Sequence, residues 1–248
     1  MTVNEPVIAV RDAGVRFHRG KRHRSLRDFL IRGQRGARPG EFWALDGVSF
    51  DVHAGEAIGV VGRNGQGKST LLKLIAGVML PDRGSVDVAG GVAPLIEITG
   101  GFVNDLTVRD NIGLTAGLHG MSKTDIAERF DEIVDFAEIP DFLDTPYKHL
   151  SSGMKVRVAF AVVSRLEEPI ILVDEVLAVG DKAFKRKCYA RMEELTAAGR
   201  TLFLVSHSDG DLRRFCDRGL YLREGRLVAD GPMDEVLASY ERQDGGLR

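Results

Sequence analysis

The nine residues GRNGQGKST, numbers 62–70, hold three glycines, one lysine and two adjacent hydroxyls. A short apolar run, AIGVV (57–61), precedes them, and LLKLIAGV (71–78) follows with its leucines and isoleucine at helical spacing. The segment therefore reads strand, loop, helix. In that setting Gly62, Gly67, Lys68 and Ser69 fit G-x-x-x-x-G-K-[ST], a phosphate-binding loop. Glycine removes the Cβ atoms that would keep backbone N–H groups from closing round phosphate oxygens, and the helix N-terminus adds its positive end. Asn64, Gly65, Gln66 and Gly67 form the body of this loop. Lys68 is expected to reach the β- and γ-phosphates as a point charge. The Ser69 hydroxyl is placed to ligate Mg²⁺ and Thr70 to donate to the α-phosphate.

Working outward, apolar strand-like runs recur at VIAVRDAGVRF (7–17), ALDGVSFDV (44–52), SVDVAGGVA (85–93), IILVD (170–174), TLFLVS (201–206), RGLYLRE (218–224) and RLVADG (226–231). The early runs, joined by short turns, predict an antiparallel piece, whereas those at 57, 170 and 201 predict buried parallel strands. Between about Phe102 and Arg165 the pattern becomes mainly helical. There SKTDIAERFDEIVDFAEI opens with Ser122 and Asp125 at capping-box spacing and sets Ile126, Phe130, Ile133, Val134 and Ala137 on one face, with Pro140 as its stop. A further helix is predicted from Ser152 to about Leu166, ending before Pro169. The fold class is α/β, a mixed-sheet core with a helical insertion.

Two acids close the apolar run IILVDE. In proteins with this loop a carboxylate at such a strand end holds the Mg²⁺ that bridges the β- and γ-phosphates, and Asp174 has that position. Glu175 points elsewhere and is the candidate general base for the attacking water. An isolated Asp-Glu pair is usually a solvated strand end; the apolar residues before it and the phosphate loop upstream change that reading. His207 follows another apolar run, where a lone histidine is more often a surface or capping residue.

HLSSGMKVR (149–157) places two serines and Gly153 at a predicted helix start, hydroxyls and bare amides aimed at an anion. By itself this fits an ordinary N-cap. It lies, however, just upstream of the Asp174-Glu175 strand, where the signature of ATP-binding cassettes, usually LSGGQ, belongs. Leu150, Ser151, Ser152, Gly153 and Met154 resemble that signature, with serine for its first glycine and methionine for its glutamine. With the phosphate loop, Asp174-Glu175, Asp181 and His207 in order, the chain resembles an ABC ATPase over nearly its whole length. The resemblance implies two cassettes sandwiching two ATP molecules head to tail, with Ser151, Ser152 and Gly153 of one subunit at the nucleotide held by the other. It also implies His207 as a switch histidine at the γ-phosphate and Asp181 at the dimer seam. A Tyr is common after the first strand to stack on adenine; here Phe17 is favoured by position over Phe42 and Trp43. Glu97 stands where a metal-reaching glutamine is usual.

Within the family, SSGM, DEVLAVGD followed by FKRKC, and FWALDGVSF resemble the ATPases of polysaccharide exporters, which move lipid-linked O-antigen, teichoic acid or galactan chains. The segment SLRDFLIR (25–32) reads as a short amphipathic helix, with Ser25 and Asp28 at capping-box spacing and Leu26, Phe29 and Leu30 on one face. It resembles the gate helix of those exporters, where Arg24, Arg27 and Arg32 would meet anionic head groups or a lipid pyrophosphate. The expected layout is one cassette over 1–248, with core and antiparallel parts in 1–94 and 167–248, a basic insertion at 18–41 and a helical subdomain over about 95–166. The implied partners are a second cassette and integral membrane permease subunits, with the lipid-linked polysaccharide met indirectly. The implied place is the cytoplasmic face of the cell membrane. The chain ends soon after MDEVLASYERQ, so no added carbohydrate-binding domain is expected. The neighbouring alternative is the cassette of an importer or drug exporter; a more distant one is a soluble ABC protein acting on nucleic acid, which usually carries coiled-coil or zinc insertions or two cassettes in one chain.

Composition sets the outer bounds. A chain of 248 residues with 44% hydrophobic content can bury one large core or two modest ones. No apolar stretch is long enough to span a membrane, and MTVNEPVIAV lacks the basic-then-apolar pattern of a secretory signal. Cys188 and Cys216 form no CxxC pair, which argues against a disulfide scaffold or a zinc site. Arg16 to Arg38 holds nine Lys/Arg and one acid, Asp28, so that segment carries +8 and the rest −10 of a net −2. One basic patch on an acidic body points to one anionic partner surface and away from nucleic acid.

Overall fold

The computed structural model describes residues 5–18, 41–95, 101–174 and 181–245. Along them run β1 (Ile8–His18), β2 (Glu41–Val52), β3 (Ala57–Val61), α1 (Lys68–Ile75), β4 (Arg83–Val88) and β5 (Val92–Leu95). Three helices follow, α2 (Val108–Leu118), α3 (Lys123–Ala137) and α4 (Ser152–Val163). The chain then alternates through β6 (Ile170–Asp174), α5 (Lys182–Ala197), β7 (Thr201–Val205), α6 (Asp209–Phe215), β8 (Arg218–Arg223), β9 (Arg226–Pro232) and α7 (Met233–Asp244).

The strands form two sheets. One is antiparallel with order β2-β1-β4; the other has order β5-β6-β7-β3-β8-β9, parallel except for β9 at its edge. Successive residues of the parallel strands point to opposite faces, and both faces are dry. Ile58, Val60, Leu172 and Phe203 bury on one side with Leu71 and Leu72 of α1 and with Val10, Leu45 and Phe50 of the antiparallel sheet. Ile171, Val173, Leu202 and Leu204 bury on the other with Phe160, Phe184, Met192 and Leu212. A strand covered on both faces has no reason to alternate apolar with polar, so these segments read as continuous apolar runs. Gly59 has a packing cause: a Cβ there would lie 2.4 Å from Met233 Cε and 2.8 Å from Leu212 Cδ2, where α7 and α6 press on β3.

The run at 85–93, which reads as one strand, is divided between the sheets. Arg83–Val88 pairs with β1 and Val92–Leu95 with β6, and Gly90 turns between them with φ 100.

The helical segment has its own core, in which Ile112 of α2, Ile133, Val134 and Ala137 of α3 and Val158, Ala161 and Val162 of α4 meet, with Ile126 and Phe130 packed against them. The capping box at Ser122 is formed: Ser122 Oγ accepts from Asp125 N at 3.1 Å, and the Asp125 carboxylate accepts from Ser122 N at 3.2 Å. α3 stops at Ala137, with Glu138 in left-handed backbone at φ 58; Pro140 opens the following 3₁₀ turn, Pro140–Phe142, instead of ending the helix itself. α4 ends at Val163, short of the expected Leu166. Its opposite side, Ala159, Phe160 and Val163, belongs to the sheet's core, so α4 is shared between the two packing units. Residues 19–40, with the predicted helix at 25–32, lie outside the described residues, as do Glu97 and Glu175.

Candidate functional site

β3 runs into the loop at Gly62, where φ is 145 and a Cβ would sit 2.3 Å from the Leu222 carbonyl oxygen. At Gly67 φ is 100, and a Cβ would sit 2.4 Å from the Ala44 carbonyl oxygen. Both positions exclude a side chain by conformation and by contact. No side chain caps α1, so its first-turn N–H groups lack helical partners and face outward with the positive end of the dipole. Lys68 is buried and folds back over the loop, its Nζ donating to the carbonyls of Gly62 at 2.6 Å and Arg63 at 3.1 Å. A bare backbone cradle beside a held ammonium fits a phosphate chain. Asn64, Gly65 and Ser69 are exposed and Thr70 is half-buried. The Gln66 side chain works differently: its Oε1 accepts from Glu224 N in the β8–β9 turn, so it anchors the loop and does not reach into it.

That turn is a brace. Glu224 and Gly225 have φ 50 and 74, the two left-handed residues of a tight hairpin, and the Gly225 carbonyl accepts from Asp46 N at 2.8 Å. Asp46 in turn takes Arg226 at 2.6 Å and Arg83 at 2.8 Å, and these two guanidinium groups hold its carboxyl below the ordinary carboxylate range. The phosphate loop, β2 and the hairpin are thus one framework. Sequence reading missed Asp46 because its partners lie 37 and 180 residues away.

The other expected groups gather at the same sheet edge. Asp174 is level with Val205 of β7, and Val205 with Val60 of β3, so Asp174 ends its strand beside the start of the loop. Two strand spacings separate β6 from β3, about 10 Å. His207 leaves the carboxyl end of β7, the strand between them, and is exposed next to buried Ser206, whose Oγ accepts from Ser208 N at 3.0 Å. Glu175, the residue after Asp174, is not among the described residues. Carboxyl ends of neighbouring parallel strands are where open α/β sheets take their ligands.

The aromatic candidates divide by face. Val15 and Phe17 share one face of β1, and Phe17 is in register with Phe42, ring centroids 6.0 Å apart. Leu45, opposite Val15, has its Cδ2 where a Gly67 Cβ would fall, so that face looks to the phosphate loop. Trp43 pairs instead with Arg16 across a bulge and covers Gly14 on the opposite face, with the Arg16 and Arg83 guanidinium groups 5.6 and 5.2 Å from its ring. Phe17 and Phe42 therefore stay as adenine candidates and Trp43 does not.

Ser151 is the N-cap of α4, its Oγ accepting from Met154 N at 3.2 Å. Leu150 is buried behind it, while Ser151 and Ser152 are exposed. A Cβ on Gly153 would meet nothing within 4 Å. Glycine in a helix costs about 1 kcal/mol against alanine, and nothing among the described residues requires it here. Asp181 caps α5, accepting from Ala183 N at 2.8 Å and Phe184 N at 2.9 Å. The Phe184 and Ala183 amides, together with Arg157, hold its carboxyl below the ordinary range. That capping role was not read from the sequence, although Asp-x-x before an amphipathic run was the signal for it.

A phosphate loop leading from a central parallel strand into a helix, with an acid closing the strand two places away, belongs to the nucleotide-binding α/β domains. The chain resembles a dimeric ATP-binding cassette solved in a post-hydrolysis state bound to ADP and Pi, with TM-score 0.73 and 21% identity over 91% of this chain and 98% of that one. It also resembles a structure described as the ATP binding subunit of an ABC transporter, with TM-score 0.76 and 25% identity over 97% and 96%. A family model described as ABC transporter matches residues 45–178. The chain belongs to the ABC transporter family, and its fold is that of the ATP-binding cassette. Relatives include the ABC transporter protein AbcA of Aeromonas salmonicida, 44% identical over 81% of this chain and 65% of that protein. The O-antigen export system ATP-binding protein RfbB of Klebsiella pneumoniae is 41% identical over 82% of both. The teichoic acids export ATP-binding protein TagH of Bacillus anthracis is 41% identical over 87% of this chain and 39% of that protein. The chain thus spans just under two thirds of AbcA and well under half of TagH.

Proposed function

We propose that this chain is the ATP-hydrolysing subunit of an exporter of lipid-linked polysaccharide, working as a homodimer against a separate integral membrane permease at the cytoplasmic face of the membrane. The observation that carries the substrate class is the 41% identity to RfbB across 82% of both chains. ATP lies along the loop of Asn64, Gly65, Gln66 and Gly67, with Lys68 on its β- and γ-phosphates, Thr70 on the α-phosphate and Phe17 against adenine. Mg²⁺, held by Ser69 and Asp174, would neutralise phosphate charge. Glu175 takes a proton from water as its oxygen attacks the γ-phosphorus, the bond to the ADP oxygen breaks, and inorganic phosphate leaves. His207 steadies the γ-phosphate from the end of β7.

The partner in this scheme is a second copy of the chain. Ser151, Ser152 and Gly153 of one copy close on the nucleotide of the other, and Gly153, which no contact among the described residues requires, supports that placement. Closure with ATP and reopening after hydrolysis would drive the permease. The test is ATP turnover in vesicles that hold the chain with its permease: lipid-linked polysaccharide is expected to stimulate it, and Lys68→Ala to lower it about a hundredfold or more. Stimulation by a solute-binding protein instead would make the system an importer and overturn the reading.

A further inference from the structure

Arg157 lies four residues past Gly153, one turn further along α4. Its largely buried guanidinium holds two carboxylates from different elements, donating to Glu138 Oε2 at 2.5 Å and to Asp181 Oδ2. Its guanidinium carbon lies over the Phe184 ring of α5, 4.8 Å from the centroid. Glu138 closes α3 and also accepts from Lys187 of α5 at 2.9 Å. Beneath this cluster Phe136 of α3 meets Phe160 of α4 at 5.8 Å and Phe184 of α5 at 5.7 Å. Three helices therefore converge on one guanidinium. Through Asp181 it grips the start of α5, six residues after Glu175 in the chain.

Glu138 and Asp181 are about half exposed, so these ion pairs add little to stability. Their effect is geometric, because a planar fork engaging two carboxylates fixes the angle between the elements that carry them. We propose that Arg157 is a positioning residue for ATP hydrolysis, tying the serine-glycine turn of α4 to the Asp181 start of α5 so that both meet the second copy as one rigid piece. This rests on the ATPase reading above. Because neither Arg157 nor Asp181 belongs to the phosphate loop, the pair acts on turnover and not on nucleotide affinity.

The experiment is a double-mutant cycle on the full chain, with kcat, KM, the Kd for ATP and the thermal midpoint measured for Arg157→Gln, Asp181→Asn and the double variant. Each single change is expected to lower kcat about tenfold or more, with Kd and thermal midpoint unchanged. The double variant is expected to be no slower than the slower single, as for residues acting as one unit. Unchanged kcat in Arg157→Gln, losses that multiply in the double variant, or a kcat loss that tracks a lowered midpoint overturns the proposal. A wild-type chain that binds no ATP overturns the ATPase reading with it; a wild type that turns over ATP while the cycle is additive overturns this inference alone.

Discussion

Lys68 and the glycines around it are set by chemistry that leaves little choice of residue. Gly67→Ala would force a Cβ into the Ala44 carbonyl at a left-handed φ, and a cost of about 1–3 kcal/mol is expected in chemical denaturation. The same need for bare backbone made these positions legible in sequence. Asp46, Asn111 and Arg157 were not legible, because their roles are defined by partners rather than by their own type. Fully buried Asn111, for instance, gathers the loop before α2 by donating to the Val103 and Thr107 carbonyls, both at 2.9 Å. The cysteines give a second residue-scale prediction. Burial pushes the Cys188 thiol up to about 12 and Cys216 higher still, so neither carries thiolate near neutral pH. Iodoacetamide at pH 8 is expected to leave both unmodified by mass spectrometry until denaturant is added; labelling of the folded chain would contradict the packing around them.

Helix ends decide the behaviour of the elements. Ser122→Ala removes an N-cap and is expected to lower stability by about 1 kcal/mol in urea melts. Glu138 sits at the opposite end of the same helix, where Lys187 and Arg157 hold its carboxyl below the ordinary range. A depressed folded value means that the unfolded chain takes up protons first as pH falls. The stabilisation is therefore complete above about pH 5 and lost as pH drops through about 4 and below. Wild type is expected to exceed Glu138→Gln slightly in urea midpoint at pH 7, the two converging in acid; a gap that widens in acid would reverse the sign. Periodicity and caps located α3 and α4 but not their last turns, since Glu138 ends α3 by a left-handed backbone and Ser164 closes α4 in ordinary helical backbone with no stop residue to mark it. It did not single out α2, a helix whose two exposed leucines, Leu114 and Leu118, blur its apolar face. For the basic segment at 25–32, replacement of Arg24, Arg27 and Arg32 by Glu is expected to cut export while leaving ATP binding intact. Unchanged export would remove that segment from the function.

At the scale of the whole molecule, the parallel strands were legible because burial on both faces makes them uniformly apolar. The antiparallel sheet was expected from short turns, yet β1 ends at His18, β2 begins at Glu41 and β4 at Arg83, and the short turn after β2 leads into the other sheet, so its strand pairing was not legible. The division of residues 85–93 between two sheets was not, since both halves are equally apolar and only the Gly90 backbone separates them. Nor does the sequence reveal that α4 serves two cores, an arrangement that carries the Ser151 turn on a helix anchored to the sheet. That exposed turn and the phosphate loop are proposed to meet only between two copies of the chain. The direct measurement is sedimentation of Glu175→Gln with and without MgATP, alone and combined with Gly153→Asp. An ATP-dependent shift to twice the monomer mass, abolished by Gly153→Asp, is the expected result; an ATP-loaded chain that stays monomeric at every concentration, or a dimer indifferent to Gly153→Asp, would contradict it.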